Sequence, residues 1–134
     1  MFPLLRSRRS PVAITAAVTF VLCAAPLSAQ AQVAPASGEK LFKQRCASCH
    51  AIAPGAKSAM GPNLAGVAGR KAATAPGYNY SPALKKWGKA WDASSLDAFL
   101  AGPNKFIPGT RMMIALPNQA DRKAVVAYLT NAGS

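Results

Sequence analysis

Cys46-Ala47-Ser48-Cys49-His50 places two thiols and an imidazole in one short stretch of a chain otherwise nearly empty of such groups. His50 is the sole histidine, and the only other cysteine, Cys23, sits in an apolar stretch near the N-terminus. The CxxCH spacing is the attachment pattern of a c-type haem. Two thiols on the same helical turn reach the two vinyl groups of one porphyrin, while the adjacent imidazole is aimed at the iron. Two other chemistries share the cysteine spacing. A structural zinc site wants four Cys or His ligands, and half of that set is missing. A thioredoxin-like dithiol follows a buried strand and opens a helix, whereas the residues before Cys46 are polar and helix-compatible. Haem attachment leads, and a haem-free dithiol oxidoreductase stays as an alternative.

Working outward from the pentad, the signals are helical and strand patterns are weak. Ser37 is expected to cap a first helix, with Glu39 near its positive end and Leu41, Phe42 and Arg45 leading at one-turn spacing into Cys46. Residues 53 to 80 are dense in Gly, Pro, Ala and Asn, a composition that breaks regular structure. A loop of that length needs something to wrap. Ser81-Pro82 predicts a second short helix with proline at its first position. Ser94 or Ser95 starts a third containing Leu96, Phe99 and Leu100, which Gly102-Pro103 ends. Asn118 caps a last helix, with Asp121 in its first turn, an apolar side of Ala124, Val125, Tyr128 and Leu129, and Gly133 just past its end. The expected fold class is all-α, with about four short helices and long loops.

The N-terminal residues speak to compartment. Arg6, Arg8 and Arg9 form a charged start, Val12 to Leu22 is mainly apolar, and Ala29-Gln30-Ala31 offers a small-residue cleavage site. This is the pattern of a secretory signal peptide over residues 1–31, cut before Gln32, with Cys23 discarded along with it. The apolar run is shorter than the roughly 20 residues of a spanning helix, which disfavours a retained anchor. Residues 32–134 then form one small domain without a disulfide framework. A buried haem would supply apolar mass that so small a core lacks.

The whole chain carries 16 Lys and Arg against 4 Asp and Glu. The bases are scattered rather than massed, and no nucleic-acid motif accompanies them, so nucleic acid is not an expected partner. A positive surface that steers docking onto acidic protein faces fits better.

If haem is bound, a second axial ligand decides its chemistry. Met60, Met112 and Met113 are the candidates. Met112 follows Ile107-Pro108-Gly109-Thr110-Arg111, whose Pro-Gly turn holds a short loop rigid and presents a thioether inward. Met113 would need the loop shifted by one residue, and Met60 precedes a Gly-Pro pair on the histidine side. A thioether raises the potential relative to harder ligands, which suits electron transfer rather than oxygen activation.

These motifs together resemble the class I cytochromes c, the mitochondrial type and its bacterial relatives, over nearly all of residues 37–134. The matching pieces are Gly38-Glu39-Lys40-Leu41-Phe42, the pentad, Gly61-Pro62-Asn63-Leu64, Gly69-Arg70-Lys71, Ala75-Pro76-Gly77-Tyr78-Asn79-Tyr80, Trp91, Phe106 to Met112, and Ala127-Tyr128-Leu129. The resemblance implies helices and loops wrapped around one covalently bound haem c, with thioethers at Cys46 and Cys49 and axial ligation by His50 and Met112. It also implies that the Pro62 carbonyl accepts a hydrogen bond from His50, that Arg70, Tyr80 and Trp91 bind a haem propionate, and that Gly38 and Phe42 meet Tyr128 where the first and last helices cross. Two positions depart from the mitochondrial pattern. Phe99 stands where the family usually has a tyrosine, so one hydrogen bond near the methionine sulfur is expected to be missing. Arg111 replaces a common lysine and keeps its charge at any ordinary pH.

The implied function is that of a soluble, monomeric, periplasmic electron carrier, not an enzyme. It would move single electrons from a cytochrome bc-type complex, a photosynthetic complex or a dehydrogenase to an oxidase or reductase, with no stable membrane insertion after cleavage. A haem sensor or peroxidase-like enzyme with a labile methionine is the second reading, for which Phe99 gives some motive.

Overall fold

Proline suits the first position of a helix, because its φ is already helical and its missing N–H would have no partner there. Three of the five helices begin this way in the computed structural model, which describes residues 35–132. The expected signal peptide, Cys23 and the helix stop at Gly133 lie outside the described residues. In chain order the helices are α1 (Pro35–Arg45), α2 (Pro82–Trp87), α3 (Ala93–Ala101), α4 (Pro103–Phe106) and α5 (Gln119–Asn131). Among the described residues the only β pairing is an isolated antiparallel bridge between Lys71 and Ala90. The all-α expectation holds. No described helix is long and apolar enough to cross a membrane.

Three local expectations are corrected. Helix α1 starts at Pro35, so Ser37 lies inside its first turn rather than capping it. Helix α3 is capped by Asp92 and not by Ser94 or Ser95. The Asp92 carboxylate accepts from the Ser95 N–H at 2.7 Å and from both serine hydroxyls at 2.8 Å, while the Asp92 N–H donates back to Ser95 Oγ at 2.9 Å. A carboxylate makes the stronger, charge-assisted cap, which turns the serines into donors within the first turn. Gly102-Pro103 ends α3 as expected, but Pro103 immediately opens the single turn of α4. Elsewhere the capping matches: Ser81 Oγ accepts from Leu84 N at 3.2 Å, and Asn118 Oδ1 accepts from Asp121 N at 3.1 Å.

Helices α1 and α5 cross at Gly38. A Cβ there would sit 2.8 Å from Tyr128 Cβ and collide with the Ala124 carbonyl, so only glycine permits this approach. One turn on, Phe42 tilts against Tyr128 with ring centroids 5.5 Å apart. Helix α3 packs on both α4 and α5. The core joins Phe42, Val67, Trp91, Leu96, Phe99, Leu100, Ile107, Val125 and Leu129. Around it runs a ladder of rings, Phe106 to Trp87 at 5.8 Å, Trp87 to Trp91 at 4.5 Å and Trp91 to Phe99 at 5.1 Å.

Candidate functional site

The pentad leaves α1 as a tight turn. Cys46 N–H bonds the Phe42 carbonyl at 2.8 Å, and His50 N–H bonds that of Cys46 at 2.9 Å, which keeps both thiols and the imidazole on successive turns of one rigid segment. Residues 60–64 are then zipped against it. Gly61 N–H donates to the Cys49 carbonyl at 2.9 Å and Leu64 N–H to that of Ala51 at 2.8 Å. This register brings the Pro62 carbonyl 2.8 Å from His50 Nδ1. A carbonyl only accepts, so Nδ1 carries the proton and donates, and Nε2 is the lone-pair nitrogen. Gly61 lies flat on the ring, where a Cβ would fall 2.8 Å from Nε2 and closer still to its neighbours.

The imidazole opens on a cleft of about 390 Å³, within the ordinary size range of cofactor sites. Cys46, Cys49 and His50 line it together with Thr110, Met112, Met113 and Ile114. Leu64, Val67, Leu96, Phe99, Leu100 and Leu129 form apolar walls. Both pentad cysteines are unbridged and half-buried, and burial, with the neighbouring Cys49 adding to it, pushes the Cys46 thiol up. Paired free thiols, an oriented imidazole with a glycine flush against it, and an apolar slot fit a planar macrocycle attached through two thioethers.

The three methionines differ. All line the cleft, but Met112 packs against the core whereas Met60 is 70% and Met113 72% exposed. The turn before Met112 forms as the sequence implies: Gly109 has φ +87, and Thr110 N–H closes on the Ile107 carbonyl at 3.1 Å. Arg111 Nη1 donates to the Asn79 carbonyl, tying this loop to residues 78–80.

Arg70, Tyr80 and Trp91 come together at the cleft wall. Backbone bonds from Gly69 N–H to the Trp91 carbonyl at 2.7 Å and from Trp91 N–H to the Arg70 carbonyl at 3.0 Å set two of them side by side. Arg70 donates to the Ala65 and Asn63 carbonyls at 2.6 and 2.9 Å, which orients its planar fork. Tyr80 is 6% exposed, and burial raises its hydroxyl pKa, with the Ala75 backbone and the Arg70 charge pulling the other way. Phe99 is buried edge-on to Trp91 and lines the same cleft, so the position contributes a ring without a hydroxyl.

Sequence reasoning read Ser81 only as a helix start and Thr110 only as part of a turn, yet both are buried polar residues among those described and both line the cleft. Ser81 carries the local signal of a helix cap before proline and Thr110 that of a Pro-Gly turn, but nothing local says that either faces the site. Sequence reasoning passed over the Asp97–Arg122 pair, whose partners lie far apart in the chain.

An all-helical domain that presents a CxxCH pentad to an apolar cleft defines a c-type haem protein. A cytochrome c family model matches residues 35–133. The chain is 47% identical over 97 residues to cytochrome c2 of Rhodoblastus acidophilus, covering 72% of this chain and 90% of that protein. It is 44% identical over 97 residues to cytochrome c of Sesamum indicum, with 72% and 87% covered. Against cytochrome c-554 of Methylosinus trichosporium it is 39% identical over 126 residues, 93% of each chain. The chain belongs to the cytochrome c family. It is therefore an electron carrier rather than an enzyme, and it binds haem c covalently, with Cys46 and Cys49 in the attachment position. The haem-free dithiol reading falls with this.

Proposed function

We propose that the protein is a periplasmic monohaem shuttle whose iron is held between His50 and Met112, and that it passes single electrons from a cytochrome bc-type complex or a dehydrogenase to a terminal oxidase or reductase. The observation that carries the ligand reading is the His50 Nδ1 bond to the Pro62 carbonyl at 2.8 Å, with Met112 lining the same cleft. Haem c supplies a one-electron couple when bound; the chain's own residues set the conditions for it. The Pro62 carbonyl holds the imidazole ring and leaves Nε2 to ligate. Packing against the core restricts Met112, and its soft sulfur favours the reduced state. The apolar walls keep water out, so little has to rearrange when the charge changes. Arg70, Tyr80 and Trp91 offer a guanidinium, a hydroxyl and an indole N–H, donors that offset the desolvation of a buried propionate.

Charge supports the partner class. Arg45, Arg70 and Arg111 line the cleft and none of the four acids does. Glu39 pairs with Lys43, Asp97 pairs with Arg122, Asp92 caps α3, and Asp121 lies in the first turn of α5. A cationic mouth around a redox site suits acidic faces of redox proteins, engaged by a monomer using one face for donor and acceptor in turn. Export as residues 32–134 rests on the leader pattern. The Methylosinus alignment is longer than the span matched by the family model and so extends upstream of Pro35, into the residues that carry this pattern.

The weak far-red charge-transfer band of oxidised methionine-ligated haem provides the test. It is expected to vanish in Met112→Ala and persist in Met113→Ala; persistence in the first variant would overturn the ligand assignment.

A further inference from the structure

The segment that carries Met112, residues 107–118, has no helix or strand of its own. Its downstream end is nonetheless bound tightly. Leu116 N–H donates to the Leu100 carbonyl at 2.7 Å, which fastens the segment to α3. Arg122, in the first turns of α5, donates from Nη1 to the carbonyls of Leu116 at 3.1 Å and Pro117 at 2.7 Å. From Nε it donates to Asp97 Oδ1 of α3 at 2.9 Å. The Arg122 side chain is only 11% exposed and that of Asp97 37%. One nearly buried guanidinium thus joins two helices to two consecutive carbonyls of the methionine segment.

This differs from the Glu39–Lys43 pair on α1, whose side chains are 46% and 68% exposed and which contributes little to stability. At Arg122 the donors go to two backbone carbonyls, that of Pro117 at an exposed position and that of Leu116 on a buried residue, and losing the donor to the buried one costs more than the bond itself is worth. The geometry also requires arginine. Three acceptors in two directions need a planar fork with donors at Nε and Nη1, and lysine offers a single point charge at the end of a flexible stem. A segment without its own ladder opens locally unless its ends are pinned.

We propose that Arg122, aligned by Asp97, is a positioning residue that holds the 107–118 segment so that Met112 stays in the cleft, and that loosening it makes the distal position exchangeable. The inference rests on reading Met112 as the distal ligand. Asp97 supplies orientation and Arg122 supplies the pins, so the two residues are expected to act unequally.

The experiment titrates imidazole into the oxidised holoprotein and follows loss of the far-red band, alongside thermal unfolding. Arg122→Lys is expected to raise imidazole affinity roughly tenfold, the effect of losing one charged hydrogen bond to a buried acceptor. Asp97→Asn is expected to move it in the same direction by less. Val126→Ala thins the packing of α5 at a buried residue that does not line the cleft, and so calibrates general destabilisation. Unchanged affinity in Arg122→Lys overturns the proposal, as does an equal rise in Val126→Ala for the same loss of melting temperature. Met112→Ala separates the two readings. If it keeps the band and the wild-type imidazole affinity, the ligand assignment fails; if it loses the band while Arg122→Lys behaves as wild type, the positioning role alone fails.

Discussion

At the scale of single residues, the site depends as much on a missing side chain as on those present. Gly61 is the only residue type that lets the 60–64 segment lie against His50 while Pro62 accepts from its ring, because any Cβ would occupy the space of the imidazole. The His50 ring cannot yield without breaking the 2.8 Å bond that sets its tautomer. Gly61→Ala is therefore expected to lower the yield of covalently loaded protein severalfold and to destabilise what forms by about 1–3 kcal/mol, the usual penalty of overpacking. Haem content per chain and a denaturant midpoint measure both; a variant loaded and stable as wild type would contradict the packing account. His50, Cys46 and Cys49 were legible in the sequence, because the chemistry of the motif is carried by adjacent positions. Gly61 was legible only as part of a resemblance, since its reason is a ring contributed from elsewhere in the chain.

At the scale of elements, the helices were legible through their punctuation and misread where two capping signals competed. Serines and an aspartate stand together at 92–95, and the choice among them turns on acceptor strength. Asp92 wins, and the Ser95 backbone N–H, helped by the Ser95 and Ser94 hydroxyls, pulls its pKa down to about 2. A folded pKa below the ordinary carboxylate value means that the stabilisation is complete above about pH 4 and is lost as the pH falls toward 2. Asp92→Ala is expected to melt below the wild type at neutral pH, with the gap narrowing on acidification. Helical circular dichroism during melts at pH 7 and pH 2 would check this, and a gap independent of pH would exclude a charge-assisted cap. Helix α4 was missed for a different reason: at four residues it has no periodicity to detect, and its proline was read as a stop to the helix before it.

At the scale of the whole molecule, the core is built around a volume that protein atoms do not fill. The cleft of about 390 Å³ is walled by Leu64, Val67, Leu96, Phe99, Leu100 and Leu129, apolar surface that a bound haem would cover from water at about 25 cal/mol per Å². The haem is accordingly part of the fold's stability as well as its function. Cys46→Ser with Cys49→Ser, which removes both thioether sites, is expected to give a chain with much reduced helical content and no sharp thermal transition. Native-like melting of that doubly substituted chain would show that the helices support themselves. The α1–α5 crossing at Gly38 and the rings from Phe106 to Phe99 are the parts best placed to persist, because they bury surface against protein.

The sequence by itself determined the cofactor, the helical class and the segment presenting Met112, because each is written in neighbouring residues whose covalent spacing suffices: two thiols and an imidazole on one turn, helix caps, a Pro-Gly turn. Tertiary structure alone decided which methionine is packed and which are exposed, how Arg70 and Trp91 come to stand side by side, and that Arg122 reaches both Asp97 and the carbonyls of Leu116 and Pro117. Those depend on burial and on donors meeting acceptors far apart in the chain, and distance along a sequence does not encode distance across a fold.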